Sequence, residues 1–318
     1  MSSTTSPRTA APGPTSGREA AADLEAVPLR HWGRWAAAAV VLYVTAAFAW
    51  SLARNPNLEW DVVADYLFED FVVRGVGITL MLTVVAMGIG TVGGIVVAVM
   101  RLSSNPVLRG LSWFYTWFFR GTPLLVQIIF WGFLAALYQQ IEIGIPFTDV
   151  TFASFDTNAV VGPMTAAILA LSLNEVAYAA EIVRGGIASV DGGQDDAASA
   201  LGMTRSQAMR TITLPQAMRV IVPPTGNETI AMIKDTSLVA FVPYYELFFQ
   251  LQAIGSRTFQ LFPMLVAACL WYLAMTSVLM VGQHFLEKRY ARGTRRSTAR
   301  AQRTSLLARL RRPAKGGA

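Results

Sequence analysis

The sequence predicts an all-α integral membrane protein of about six transmembrane helices. Three observations carry this. Of 318 residues, 53% are hydrophobic and 14% charged, where soluble domains carry about a quarter charged residues. The apolar residues gather into six long stretches. The basic residues gather between and after those stretches rather than along one face of the chain.

The elements follow in order. Residues 1–34 are rich in Ser, Thr, Pro, Ala and Gly and show no apolar period, which predicts a disordered cytoplasmic tail. The first apolar stretch, WAAAAVVLYVTAAFAWSL, covers 35–52. It competes with a signal-peptide reading through Ala47-Phe48-Ala49, but a polar leader of more than thirty residues is too long for an ordinary n-region, and a retained helix is favoured. The next stretches run from about Gly75 to Met100, Thr122 to Tyr138 and Val160 to Val183. The fifth begins near Pro215 and is expected to be broken by Pro223-Pro224 and Lys234-Asp235; the sixth covers about 262–285. Since roughly 20 apolar residues span a bilayer, five stretches suit spanning helices and the fifth suits a broken one.

Orientation follows from the Lys/Arg content of short loops. Loop 101–120 holds Arg101, Arg109 and Arg120 and no acid, which places it in the cytoplasm. Loop 139–159 has no Lys or Arg, and 53–74 has Arg54 and Arg74; both are expected outside. Residues 287–318 carry eleven Lys or Arg against Glu287 alone, a basic cytoplasmic tail. The same alternation puts 185–214 inside and both termini in the cytoplasm.

That inner segment contains DDAASALGMTRSQAMRTITLP, residues 195–215. Gln194 to Leu201 reads as a short Ala-rich helix with Asp195 and Asp196 in its first turn, where the helix dipole favours acids. Gly202 is a natural stop. Thr204 and Gln207 have capping-box spacing and open a second helix reaching Ile212; Pro215 then starts the next segment. The apolar positions of so small a hairpin need a partner to cover them. A DNA-reading helix-turn-helix is disfavoured, because membrane spans hold both ends and no third helix completes such a domain.

The segment resembles the EAA loop of ABC importer permeases: Asp196-Ala197-Ala198, then Gly202, then Ile212, Leu214 and Pro215 fit every spacing, with Asp196 where the family usually has Glu. Arg120-Gly121-Thr122-Pro123-Leu124-Leu125, the run Ala177 to Arg184, Gly193-Gln194, Leu214 to Ala217 and Lys234-Asp235-Thr236-Ser237-Leu238 are similar to the polar amino acid branch of that family. The resemblance covers about 75–286 and leaves helix 35–52 and both tails outside. It implies a type I permease fold with a cytoplasmic coupling hairpin, 194–215, formed by Gln194, Asp196, Ala197, Ala198, Gly202, Ile212, Leu214 and Pro215. It also implies ATPase subunits as partners, an extracytoplasmic solute-binding protein, a second identical or related permease, and a polar amino acid as solute.

No Gly-x-x-x-x-Gly-Lys-Ser/Thr cradle occurs, so ATP and Mg are expected on the partner ATPase and no cofactor in this chain. The single Cys269 leaves no disulfide framework or Cys-based zinc site. Candidates for the solute path or gate are polar residues in the spans: Thr122, Gln127, Asn174, Glu181, Asn227, Lys234, Asp235, Thr236 and Ser237. Each has a plain structural alternative as helix-to-helix glue; Glu181 and Arg184, three apart, share a face and suit internal pairing. Gly90-Thr91-Val92-Gly93-Gly94 suits close helix packing. Trp32, Trp35, Trp113, Trp117 and Trp131 suit interfacial belts or bundle packing better than ligand stacking. The alternative to an ATP-driven importer is an ion-gradient-driven carrier, using its intramembrane charges for coupling.

Overall fold

A computed structural model describes residues 32–148 and 150–291. The tail 1–31 and most of the basic tail, from 292 onward, lie outside the described residues. The chain divides into two compact units, Met1–Pro56 and Asn57–Ala318. The described part of the first is chiefly helix α1, Trp32–Ala53, on which Arg54 stacks over Trp50 at 4.2 Å.

The second unit is built mainly of helices. These are α2 (Trp60–Leu67), α3 (Asp70–Arg101), α4 (Pro106–Gly121), α5 (Leu124–Gly132), α6 (Leu134–Leu137), α7 (Thr157–Val160) and α8 (Pro163–Ala188). They continue as α9 (Gly192–Ala200), α10 (Arg205–Ala208), α11 (Leu214–Asp235), α12 (Leu247–Thr258) and α13 (Leu261–Ala291). Among the described helices, α1, α3, α8 and α13 are long and apolar enough to cross a membrane.

Helices α3 and α8 form the central pair, and they run in the same direction: Gly90 lies on Glu175, Gly94 on Ala179, and Ala98 in one cluster with Ala180 and Val183. The glycines make this approach possible. A methyl at position 90 would overlap Glu175 Cγ, and one at 94 would lie 2.5 Å from Ala179 Cβ. Within lipid, where tails are as apolar as leucine, such close backbone packing is a principal source of helix association.

Three apolar clusters follow one another along α3. Ala98, Ala180, Val183, Ala217 and Ile221 join the C-terminal ends of α3 and α8 to the start of α11. Leu82, Ala86, Ile128, Leu171 and Met232 lie further along. Val72, Val76, Ile233, Leu251 and Met264 tie the start of α3 to α11, α12 and α13. Beside this last cluster Glu246, fully buried, caps α12 by accepting from the Phe248 and Phe249 amides at 2.9 and 2.6 Å, and Tyr272 donates to it at 3.1 Å.

Five local expectations are corrected. Segment 139–159, expected as a loop, carries an antiparallel hairpin, β1 (Gln140–Gly144) with β2 (Thr151–Asp156), so the fold is not wholly helical. Its Ile141–Phe155 and Glu142–Ser154 pairs alternate apolar and polar faces, a period-2 pattern within a short stretch. The third apolar stretch does not form one spanning helix: Phe133 (φ −111°, ψ 22°) divides it into α5 and α6. Residues 106–121, expected within a loop, are helix α4, opened by Pro106 at its first turn and by Asn105, whose side chain accepts from the Val107 amide at 2.9 Å.

The last two concern the hairpin and the fifth stretch. The second hairpin helix does not end near Ile212; a π turn, Met209–Thr213, carries it unbroken from α10 into α11. Pro223-Pro224 does not break α11 either. The two missing amides leave the Arg219 and Val220 carbonyls without helical donors, while the helix is tied to its neighbour just beyond them, where Gln283 of α13 donates to the Pro223 carbonyl at 2.8 Å.

Candidate functional site

The sequence around Thr122 sets one wall of the site. Pro123 disfavours a helical conformation at the residue before it, so Thr122 is extended (φ −106°, ψ 140°) and α4 ends at Gly121. Gln127 closes the break by donating to the Phe119 carbonyl at 3.0 Å and to Thr122 Oγ1 at 2.8 Å. Asn174 of α8 joins the same knot, donating to the Phe119 carbonyl at 3.1 Å and to Gln127 Oε1 at 3.3 Å. Each partner is satisfied by a neighbour on a different helix segment, so the corner between α4, α5 and α8 is fixed by hydrogen bonds rather than by apolar packing alone.

Beside this corner lies a cavity of about 570 Å³, lined by Arg120, Gly121, Thr122, Pro123, Leu124, Asn174, Glu175, Tyr178, Glu228, Ala231, Met232, Asp235 and Leu238. Its walls come from α4, the α4–α5 corner, α8 and α11. It sits between the cluster around Leu171 and the one around Ala180. Three carboxylates and one guanidinium face it. Glu175 is 3% exposed, and its Oε1 has no hydrogen-bond partner among the described residues. No salt bridge closes on Glu175, Glu228 or Asp235 among the described residues. The Arg120 guanidinium lies 5.2 Å from the centre of the Tyr178 ring.

A buried carboxylate without a partner is costly. This one is held by packing: its alkyl chain crosses α3 at Gly90, the position where a Cβ would collide with it. The arrangement can bind a solute bearing both an anionic and a cationic group, with Arg120 facing the former and the carboxylates the latter.

Of the residues expected on a solute path, Thr122, Asn174 and Asp235 line this cavity. Gln127 stands behind it as the brace of Thr122 and Asn174. Glu181 is apart from it, accepting from Arg184 at 2.7 and 2.9 Å. Asn227 and Lys234 are exposed and do not line it. Thr236 and Ser237 spend their hydroxyls on the Ile233 and Lys234 carbonyls, both at 2.6 Å. Arg120, Glu175 and Tyr178 line the cavity without having been singled out as candidates, and Glu228, in the stretch around Asn227 expected to line the path, lines it too. Glu175 carried a usable signal, since it is an acid in the middle of an apolar span.

The 194–215 hairpin has its own geometry. Asp191 accepts from the Gly193 amide at 2.9 Å at the start of α9, and Gly202 turns the chain at φ +75°. The Thr204–Gln207 capping box forms in full. Thr213 donates to Asp195 at 3.2 Å, binding the hairpin's two arms together. Ala198 is buried within it, while Asp196 and Ala197 are exposed and Leu201 stands 81% exposed at the tip. Ile212 is half-buried, and Gln194, Leu214 and Pro215 are exposed.

The family model described as "Binding-protein-dependent transport system inner membrane component" matches residues 90–292, which include both the cavity and the hairpin. The chain belongs to this family. Among relatives of this inner membrane component, the arginine transport system permease protein ArgU of Corynebacterium glutamicum is 46% identical over 285 residues, covering 89% of this chain and 88% of its own. The probable amino-acid ABC transporter permease protein YckA of Bacillus subtilis is 38% identical, covering 74% of this chain and 97% of its own. The L-cystine transport system permease protein TcyB of the same species is 34% identical, covering 76% and 95%. A solved structure titled as an amino acid ABC transporter with histidines matches at TM-score 0.57 and 34% identity, covering 69% of this chain and 94% of that one. The component is thus a multi-pass membrane protein of importer type, with the fold of an ABC permease.

Proposed function

We propose that the chain is the permease subunit of an ATP-driven importer of a polar amino acid, and that its solute has a cationic side chain. The observation that carries the solute class is the cavity's charge: three carboxylates, Glu175, Glu228 and Asp235, around one guanidinium, Arg120. A basic amino acid bears one carboxylate and two cationic groups. Arg120 takes the carboxylate, and Glu175, with Glu228 and Asp235, takes the ammonium and the side-chain cation through charge-assisted hydrogen bonds. The arginine transport relative supports the same class.

In this reading a liganded binding protein docks on the outer face, and a second permease, identical or related, completes the translocation unit. ATP and Mg are bound by separate ATPase subunits that grip the exposed face of the 194–215 hairpin through Asp196, Ala197 and Leu201. Their closure moves the hairpin, and the spans alternate between outward and inward access. Both termini lie in the cytoplasm.

The test is ATP-driven uptake by the complex reconstituted with its ATPase and binding protein. Arginine is compared with glutamine, in wild type and Glu175→Gln. Arginine uptake should fall at least about tenfold in the variant while basal ATP hydrolysis persists, the cost expected for losing one charge-assisted contact. Equal arginine uptake in both proteins would remove the cationic assignment. Uptake with no ATPase present would replace the importer by a gradient-driven carrier.

A further inference from the structure

Helix α4 buries Ser112 and Thr116 and turns most of its remaining surface outward. Ser112 donates to the Val97 carbonyl at 2.8 Å, which fixes that rotation against α3. On the outward side, Arg109, Trp113 and Trp117 recur at four-residue spacing and so form one stripe. The two indoles stack with centres 6.0 Å apart and planes 10° from parallel, and they remain 50% and 57% exposed. Arg101, at the end of α3, donates from Nη1 to the Arg109 carbonyl at 3.4 Å, bringing two basic residues to the foot of the stripe. The segment 101–121 contains no acid. From Arg109 to Trp117 the helix rises about 12 Å, the scale on which a phospholipid passes from phosphate to acyl chain.

We infer that this stripe is a binding site for an anionic phospholipid, with Arg101 and Arg109 on the phosphate and the Trp113–Trp117 stack along the upper acyl chain. The match is one of charge and depth together. A flat indole stack alone suits any apolar neighbour, and two arginines alone suit any anion; an amphiphile with a negative head and an apolar body satisfies both. Arginine pairs phosphate bidentately, and an indole accepts a chain on its face while its N–H stays at the polar boundary. With the sidedness proposed above, the stripe lies in the cytoplasmic leaflet, where anionic lipids attract basic residues.

The test is native mass spectrometry of the full permease–ATPase complex released from vesicles of phosphatidylcholine containing phosphatidylglycerol. Wild type should retain phosphatidylglycerol over phosphatidylcholine. Arg101→Gln/Arg109→Gln should lower that preference at least about tenfold, while Arg74→Gln, on the opposite end of α3, leaves it unchanged. A photo-crosslinking residue at 113 should label lipid. Equal retention by wild type and the double variant would overturn the proposal, as would displacement of phosphatidylglycerol by inorganic phosphate alone. Crosslinking of position 113 to a second permease would overturn it too, and assign the stripe to a protein interface. The Arg variants remove exposed or half-exposed side chains, so folding is checked by their unchanged ATP hydrolysis.

Discussion

Glu175 holds its place because position 90 has no side chain. Gly90→Ala sets a methyl against Glu175 Cγ and pushes the carboxylate out of its groove on α3. We predict that this variant loses most solute uptake and some thermal stability, whereas Gly77→Ala, where nothing lies within 4 Å, is neutral or stabilising by about 0.5–1 kcal/mol. Uptake and melting temperature of the two purified variants, measured side by side, check this; equal behaviour would show that the groove does not position Glu175. At this scale the sequence was partly legible. Thr122, Asn174 and Asp235 stood out as polar residues among apolar ones, and the glycines of 90–94 stood out as packing residues. What no spacing discloses is which of them meet. Asn174 reaches Gln127 across 47 residues of chain, whereas the Glu181–Arg184 pair, only three residues apart, was legible from spacing and forms.

The hairpin was the most legible element, because its signals are local. Aspartate caps, a glycine stop and a Thr–x–x–Gln box act over three or four residues. Gly202 at φ +75° leads to a prediction: Gly202→Ala forces a Cβ into the left-handed region at a cost of about 1–2 kcal/mol. Thr204→Ala removes the cap at a cost of about 1 kcal/mol. Both variants should lower solute-stimulated ATP hydrolysis in the assembled complex, with Gly202→Asp, which also adds a charge at the dock, more severe. Unaltered stimulation in Gly202→Asp would separate the hairpin from the ATPase. Two features were not legible. The π turn 209–213 has no side-chain signature, and the Pro223-Pro224 pair argues locally against the helix that tertiary partners sustain. Deleting Arg210 should convert the π turn to ordinary α-helix. That would rotate the hairpin by about 100° relative to α11, and uptake should uncouple from hydrolysis.

For the whole molecule, composition decided the class, while connection lengths and depth decided less. Among the described residues four helices are long and apolar enough to span, while α4 and α5 are shorter pieces that meet at a corner fixed by Pro123, and α11 runs on into a 3-10 turn, Thr236–Phe241. The β hairpin was missed because its alternation is only about five residues long on each side, within reach of chance in an apolar protein. Sidedness is open to a direct test. With Cys269→Ser as the background, single cysteines at 147 and 202 report opposite faces: an impermeant maleimide added outside intact cells should label 147 and not 202. The reverse pattern would invert the proposed topology.

Arg205 through Asp235 forms one helical rod, because the π turn joins rather than divides α10 and α11. Its near end belongs to the hairpin and its far end carries Glu228 and Asp235 into the cavity. About 23 residues separate Arg205 from Glu228, roughly 35 Å of helix. A tilt of about 10° imposed on such a rod displaces its far end by about 6 Å, more than the diameter of a water molecule. The carboxylates proposed to meet the solute therefore stand on the same helix as the hairpin that the ATPase is proposed to push, and in that reading no relay of side chains is needed to carry the stroke between them.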